Sequence, residues 1–143
     1  MALVQGATNT FKTGLASGSF NFSSDTFKIA LYSSTADLGP TTTAYTTTGE
    51  LTGTGYTAGG VTLTVSVTPT TGADSSNTVA YLSFANATWN PAAFTCRGAL
   101  IYKSGGGNPT VCVLDFGSDK TCTTSFEVQF PAASSTSAII RIA

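Results

Sequence analysis

Between residues 61 and 68 the chain runs Val61-Thr62-Leu63-Thr64-Val65-Ser66-Val67-Thr68. Apolar and hydroxylated side chains alternate strictly, which is the two-residue period of a strand with one buried face. Most of the residues are β-branched, stiff at χ1 and well suited to a pleated surface. A slip of one residue would turn every valine to solvent, so the pattern also specifies the register. Val61, Leu63, Val65 and Val67 are therefore expected to face one core. Phe126, Val128 and Phe130, which alternate with Glu127 and Gln129, are expected to join them.

Further strands read outward from this one. Phe27, Ile29 and Leu31 alternate in the run Phe27–Tyr32, and residues 78–85 carry Leu82 and Phe84 on one side with Val79 and Tyr81 on the other. Residues 94–103 and 110–116 flank Ser104-Gly105-Gly106-Gly107-Asn108-Pro109, the best hairpin signal in the chain, whose glycine tip is expected to be exposed. Residues 122–130 and 138–142 complete about seven strands. Turn-bounded strands at this spacing predict an all-β fold, a single antiparallel β-sandwich or jelly-roll-like domain over residues 1–143.

Three segments stand outside that pattern. In the N-terminal segment, residues 1–24, Leu3, Ala7, Phe11 and Leu15 recur every fourth position and predict a short helix between residues 2 and 16. Residues 69–77 read as a turn-rich break. Residues 34–60 form a long Thr/Gly loop with room for a short strand, and a loop beyond about 12–15 residues in a compact domain is usually functional or mobile.

Composition narrows the chemistry. Of the 143 residues 41% are hydrophobic and only 9% charged, and the polar share comes from 27 Thr and 16 Ser. The length suits one domain, at roughly 100–200 residues per domain. Six basic residues spread from Lys12 to Arg141 give little electrostatic basis for binding nucleic acid. No stretch reaches the roughly 18–20 consecutive apolar residues of a membrane helix, and the start Met1-Ala2-Leu3-Val4-Gln5-Gly6 lacks the pattern of a signal peptide. Neither membrane nor nucleic acid is expected as a partner. Cys96, Cys112 and Cys122 are without Cys-x-x-Cys spacing, so free, partly buried thiols are expected in place of a disulfide framework or zinc site.

With no histidine in the chain, Ser-His-Asp and Cys-His nucleophile systems are impossible. Asp115 and Asp119 could pair as carboxylates, but aspartates beside a strand-to-turn junction commonly cap the turn through their own backbone. Asp115-Phe116-Gly117 lacks the other parts of a kinase. Gly53-Thr54-Gly55-Tyr56-Thr57-Ala58-Gly59 leads into a strand, whereas a nucleotide fingerprint leads into a helix. No catalytic residue, cofactor site or metal site is expected. Trp89, before Asn90-Pro91, is expected to plug the core, with a partner anchor as the alternative. Tyr45 and Tyr56, with Thr57 beside them and Phe11 in the N-terminal segment, are the candidate partner-binding residues, because amphipathic rings in a loop anchor interfaces at low entropic cost.

Asp25-Thr26-Phe27-Lys28-Ile29-Ala30-Leu31-Tyr32, Thr48-Gly49-Glu50-Leu51, the run Gly53 to Gly60, Arg97-Gly98-Ala99-Leu100-Ile101-Tyr102-Lys103 and Leu114-Asp115-Phe116-Gly117-Ser118 together resemble small virion proteins of tailed bacteriophages. The resemblance covers most of the chain. It implies a structural protein of the virion, a capsid decoration or cement protein on the capsid exterior, assembled in the host cytoplasm and carrying no catalytic residues. Its implied partners are the major capsid protein and further copies of itself, as a dimer or trimer. A tail or fibre module binding a host surface component is the alternative function.

Overall fold

The decisive stretch divides at Thr64. Val61–Leu63 (β3) pairs with Phe27–Tyr32 (β2), whereas Val65–Thr71 (β4) crosses to a second sheet and pairs with Ala80–Phe84 (β5). A computed structural model describes residues 2–71 and 78–142. All pairings between its named strands are antiparallel.

The largest sheet has the order β1-β8-β7-β2-β3, where β1 is Gly6–Ala7, β7 is Phe94–Lys103 and β8 is Thr110–Cys122. The second runs β10-β5-β4, with β10 at Ile140–Ile142. Ala87–Trp89 (β6) and Phe126–Val128 (β9) form a third, two-stranded sheet. Side chains from all three meet in one core: Phe27, Ile29, Leu31 and Ile101 from the large sheet, Leu82 and Phe84 from the second, Trp89 and Val128 from the third. This is the expected all-β, sandwich-like domain.

The alternating face holds with one exception. Leu63 and Val128 are buried, and Val61, Val65, Phe126 and Phe130 pack against the core, but Val67 is not part of it. Thr62 and Thr64 are exposed, as the period requires. The hairpin β7–β8 is antiparallel, and Gly105, Gly106 and Gly107 lie exposed at its tip with positive φ.

Elsewhere the strand limits differ from expectation. β8 runs through residues 117–119 to Cys122, which leaves only Phe126–Val128 of the expected strand 122–130. β1 and β6 are short additional strands and the expected strand at residues 61–68 is two, so ten are present among the described residues. Pro69, read as part of a break, lies within β4. It is tolerated because β4 is an edge strand and its register shifts between Val67 and Thr70, where a missing N–H breaks no ladder. Residues 72–77 of that expected break lie outside the described residues.

The helix begins later than predicted. Asn9–Ser17 (α1) is capped by Thr8, whose hydroxyl oxygen accepts the Phe11 N–H at 3.1 Å, and Gly18 closes it at φ 76°. Leu3 instead bridges to Leu38 and Ala7 belongs to β1, so the four-residue spacing of Leu3, Ala7, Phe11 and Leu15 is not one helical stripe. Thr8 ends the extended segment because its buried hydroxyl serves as the cap. Phe11 and Gly14 face inward, while Leu15 is 38% exposed.

The large sheet is buried on both faces. Its second face carries Ala30, Tyr32, Leu100, Tyr102 and Val113, and these are covered by Ala36 and Leu38 with Leu3 and Tyr45 packed against them. The long loop thus acts as a third layer. Its chain is held by isolated bridges, Tyr32 to Glu50, Ala44 to Pro109 and Thr54 to Ala93, and no named strand lies within it.

Candidate functional site

Residues 34–60 hold two charged side chains, Asp37 and Glu50, in an otherwise uncharged Thr/Gly stretch. Glu50 is the hub of the loop. One carboxylate oxygen accepts the Tyr45 hydroxyl at 2.6 Å, and the other accepts the Tyr56 hydroxyl and the Gly59 N–H, each at 2.7 Å. The Tyr56 oxygen in turn accepts the Leu31 N–H at 2.9 Å, tying the hub to β2.

Two tyrosines of the sheet complete the fastening. Tyr32 in β2 donates to the Thr46 carbonyl at 2.6 Å, and Tyr102 in β7 donates to the Gly59 carbonyl at 2.7 Å. Four of the five tyrosines in the chain therefore pin this one loop. Their rings are also packed: Tyr45 stacks on Tyr102 with centroids 4.8 Å apart, and Tyr56 lies 6.4 Å from Trp89 and 6.2 Å from Phe94.

The candidate partner-binding residues are thus placed differently from one another. Tyr45 and Tyr56 are half-buried struts whose hydroxyls are already bonded within the chain. Thr57 is exposed on the loop, and Phe11 is buried at 3% exposure with its ring edge-on to Phe20 and Phe22. Trp89 is likewise in the core, at 3% exposure. Glu50 was missed by the sequence reading; the signal was a lone acid set five residues after one loop tyrosine and six before the other.

Asp115 and Asp119 stand in different surroundings. The Asp115 carboxylate accepts the Gly117 N–H at 2.9 Å and pairs with Arg97 at 3.0 Å, the local turn bonding expected of it, and both contacts hold its carboxyl below the usual range. Asp119 is exposed. Among the described residues no group of three or more His, Cys, Asp or Glu is placed to hold a metal ion.

Burial fixes the protonation of the interior. Cys96 and Cys112 are buried free thiols, and desolvation pushes both up to about 12 from an ordinary value of 9.0. Burial, followed by the bond to Glu50, raises the Tyr45 and Tyr56 phenols, and burial followed by the Glu50 charge raises Tyr32. Each of these groups ionises more readily in the unfolded chain than in the folded one. Their contribution to stability is complete below pH 9.0 and is lost as the pH rises, first through the thiols between 9.0 and about 12 and then through the tyrosines above 10.0. Urea midpoints should therefore be flat on this account from pH 7 to 8 and fall steadily above pH 9. A midpoint that stays level to pH 11 would contradict the burial of these side chains.

Comparison with protein-family models, with curated proteins and with solved structures finds no match to this chain.

Proposed function

We propose that this protein is a structural component of a virion, a capsid decoration protein that binds assembled capsomers from outside and stabilises the shell. The observation that carries this reading is the use made of Glu50. Both of its oxygens are occupied by donors from the same loop, so the most elaborate polar centre of the molecule serves to hold a surface in shape. A general base or a ligand-binding carboxylate needs an oxygen open to a reacting group.

A loop already fixed in the free protein presents threonines such as Thr57 without a further ordering cost on contact. Rigid, weakly charged surface of this kind suits repeated contact with a lattice. Binding to the assembled shell and not to separated subunits stabilises the shell by mass action. A homo-oligomer adds avidity through effective concentration, so weak individual contacts suffice. The proposal includes the absence of catalysis and of nucleic-acid or membrane partners. Among the described residues no helix is long and apolar enough to cross a membrane.

Counting copies per virion and following shell stability test the reading together. Hundreds of copies, and shells that survive heating better once the purified protein is added, are expected. A handful of copies at the tail with affinity for host cells would replace it with the adhesin function.

A further inference from the structure

Two sheet edges face each other across a groove of about 630 Å³. β1 ends the large sheet and β10 ends the second one, and both contribute to its walls with α1 and β8. Phe11, Leu15, Val111, Leu114, Ile139 and Ile142 make it mostly apolar. Among the described residues only three large apolar side chains are exposed, and two of them, Leu15 at 38% and Ile142 at 47%, line this groove.

Its charge is one-sided. Lys12 from α1 and Arg141 from β10 line it, and no described acidic residue does. The Arg141 guanidinium is steadied by one bond from Nε to the Ser135 carbonyl at 2.8 Å. Arg97 and Lys103 are ion-paired within the chain, whereas Lys12 and Arg141, like Lys28 and Lys120, are in no ion pair among the described residues, and the groove brings Lys12 and Arg141 to one lining. The outer edge of the second sheet differs, because β4 contains Pro69. A proline discourages pairing at an edge.

We propose that this groove docks an extended segment of a partner protein, apolar at alternate positions and carrying acidic residues, which adds a strand at the β1 or β10 edge. Main-chain bonds to the open edge supply affinity, the apolar floor reads alternate side chains, and Lys12 and Arg141 select for carboxylates. A second copy of this chain is a poorer occupant. Asp25 and Asp115 are ion-paired and Glu50 and Glu127 are hydrogen-bonded within the chain, which leaves Asp37 and Asp119 among the described acids. That the segment comes from a shell protein rests on the function proposed above; the chemistry of the groove does not.

The test uses the full ¹⁵N-labelled chain and three capped synthetic peptides. One alternates valine with threonine and glutamate, the second has lysine for glutamate, and the third is the first with its main-chain nitrogens methylated. The glutamate peptide should shift the amides of Gly6, Ala7, Ile140 and Ile142. The lysine peptide should bind about tenfold more weakly, a difference of about 1.4 kcal/mol, and the methylated one should not bind. Lys12→Glu with Arg141→Glu, both exposed positions, should reverse the charge preference at an unchanged melting temperature. Equal binding of the charged peptides, or shifts confined to other surfaces, would overturn the proposal. Self-association of the free chain that Leu15→Asp abolishes would make the occupant a second copy and also overturn it. Since no shell is used, peptide binding without shell binding would sink only the decoration function, and shell binding without peptide binding only the groove.

Discussion

Gly60→Ala is expected to destabilise the protein by about 4 kcal/mol or more, the range reserved for changes that force backbone to move. Gly60 leads the loop back into β3 at φ 75°. A Cβ there would stand 1.7 Å from the Ile29 carbonyl oxygen and 2.8 Å from the Ala30 Cα. Both contacts are main chain of β2, which is paired on both sides, with β7 and β3, and cannot rotate away. An L-residue with positive φ adds roughly 1–2 kcal/mol of its own. At roughly 2–4 °C per kcal/mol for a chain near this size, the melting temperature should fall by about 10 °C or more. Gly105→Ala is the matched control. Its φ is 96°, but a Cβ there meets nothing within 4 Å, so only the conformational part of the cost remains. Thermal and urea unfolding of the two variants separate the terms. Equal losses would mean that the close approach of Gly60 to β2 carries no energy.

The alternation of Phe27, Ile29 and Leu31 exposed β2, that of Val61 to Val65 exposed β3 and the start of β4, and the glycine turn at residues 104–109 exposed Phe94–Lys103, because alternate burial and turn chemistry both leave a local mark in the sequence. The crossing of the chain between sheets at Thr64 left no trace, since alternation continues while the strand changes partner. The extension of β8 was hidden by Gly117, which reads as a turn but sits at φ 80° in an irregular stretch of the hairpin. β1 and β6 are two and three residues long, too short for any period to show.

That the loop covers the sheet was written elsewhere in the chain. Ala30, Tyr32, Leu100 and Tyr102 fall on the second face of their strands, and apolar residues on both faces mean that both are covered. The continuous run Ala99-Leu100-Ile101-Tyr102 carried that signal, and the only long segment able to supply the cover was residues 34–60. Tyr45 and Tyr56 then follow as parts of the cover. Truncating both to alanine would remove rings packed on Tyr102, Trp89 and Phe94, so a loss of shell binding by that variant would report folding as much as contact.

Glu50→Leu separates shape from packing, because it keeps much of the side-chain volume and removes both acceptors. Three donors lose their partner at once: the Tyr45 and Tyr56 hydroxyls and the Gly59 N–H. Hydrogen bonds to a charged group contribute about 1.5–3 kcal/mol each, but the hub is half-buried and water can replace part of the loss, so about 3 kcal/mol in total is expected. Glu50→Gln keeps one acceptor oxygen, and a tyrosine hydroxyl can accept from the new amide, so its cost should be about 1 kcal/mol. The sheets should survive in both variants, since Tyr32 and Tyr102 still hold the loop at Thr46 and Gly59. Hydrogen exchange should locate the damage, with the Leu51, Tyr56 and Gly60 amides losing protection in the leucine variant while those of β7 keep theirs. If the loop works by its fixed shape, this folded variant should also protect shells less well than the glutamine one, because each contact then requires the loop to be ordered again. Loop amides that keep their protection in Glu50→Leu would assign the loop's rigidity to its apolar cover alone. Full shell protection by a variant whose loop amides exchange freely would remove the loop from the attachment surface and leave the groove between β1 and β10 to account for it.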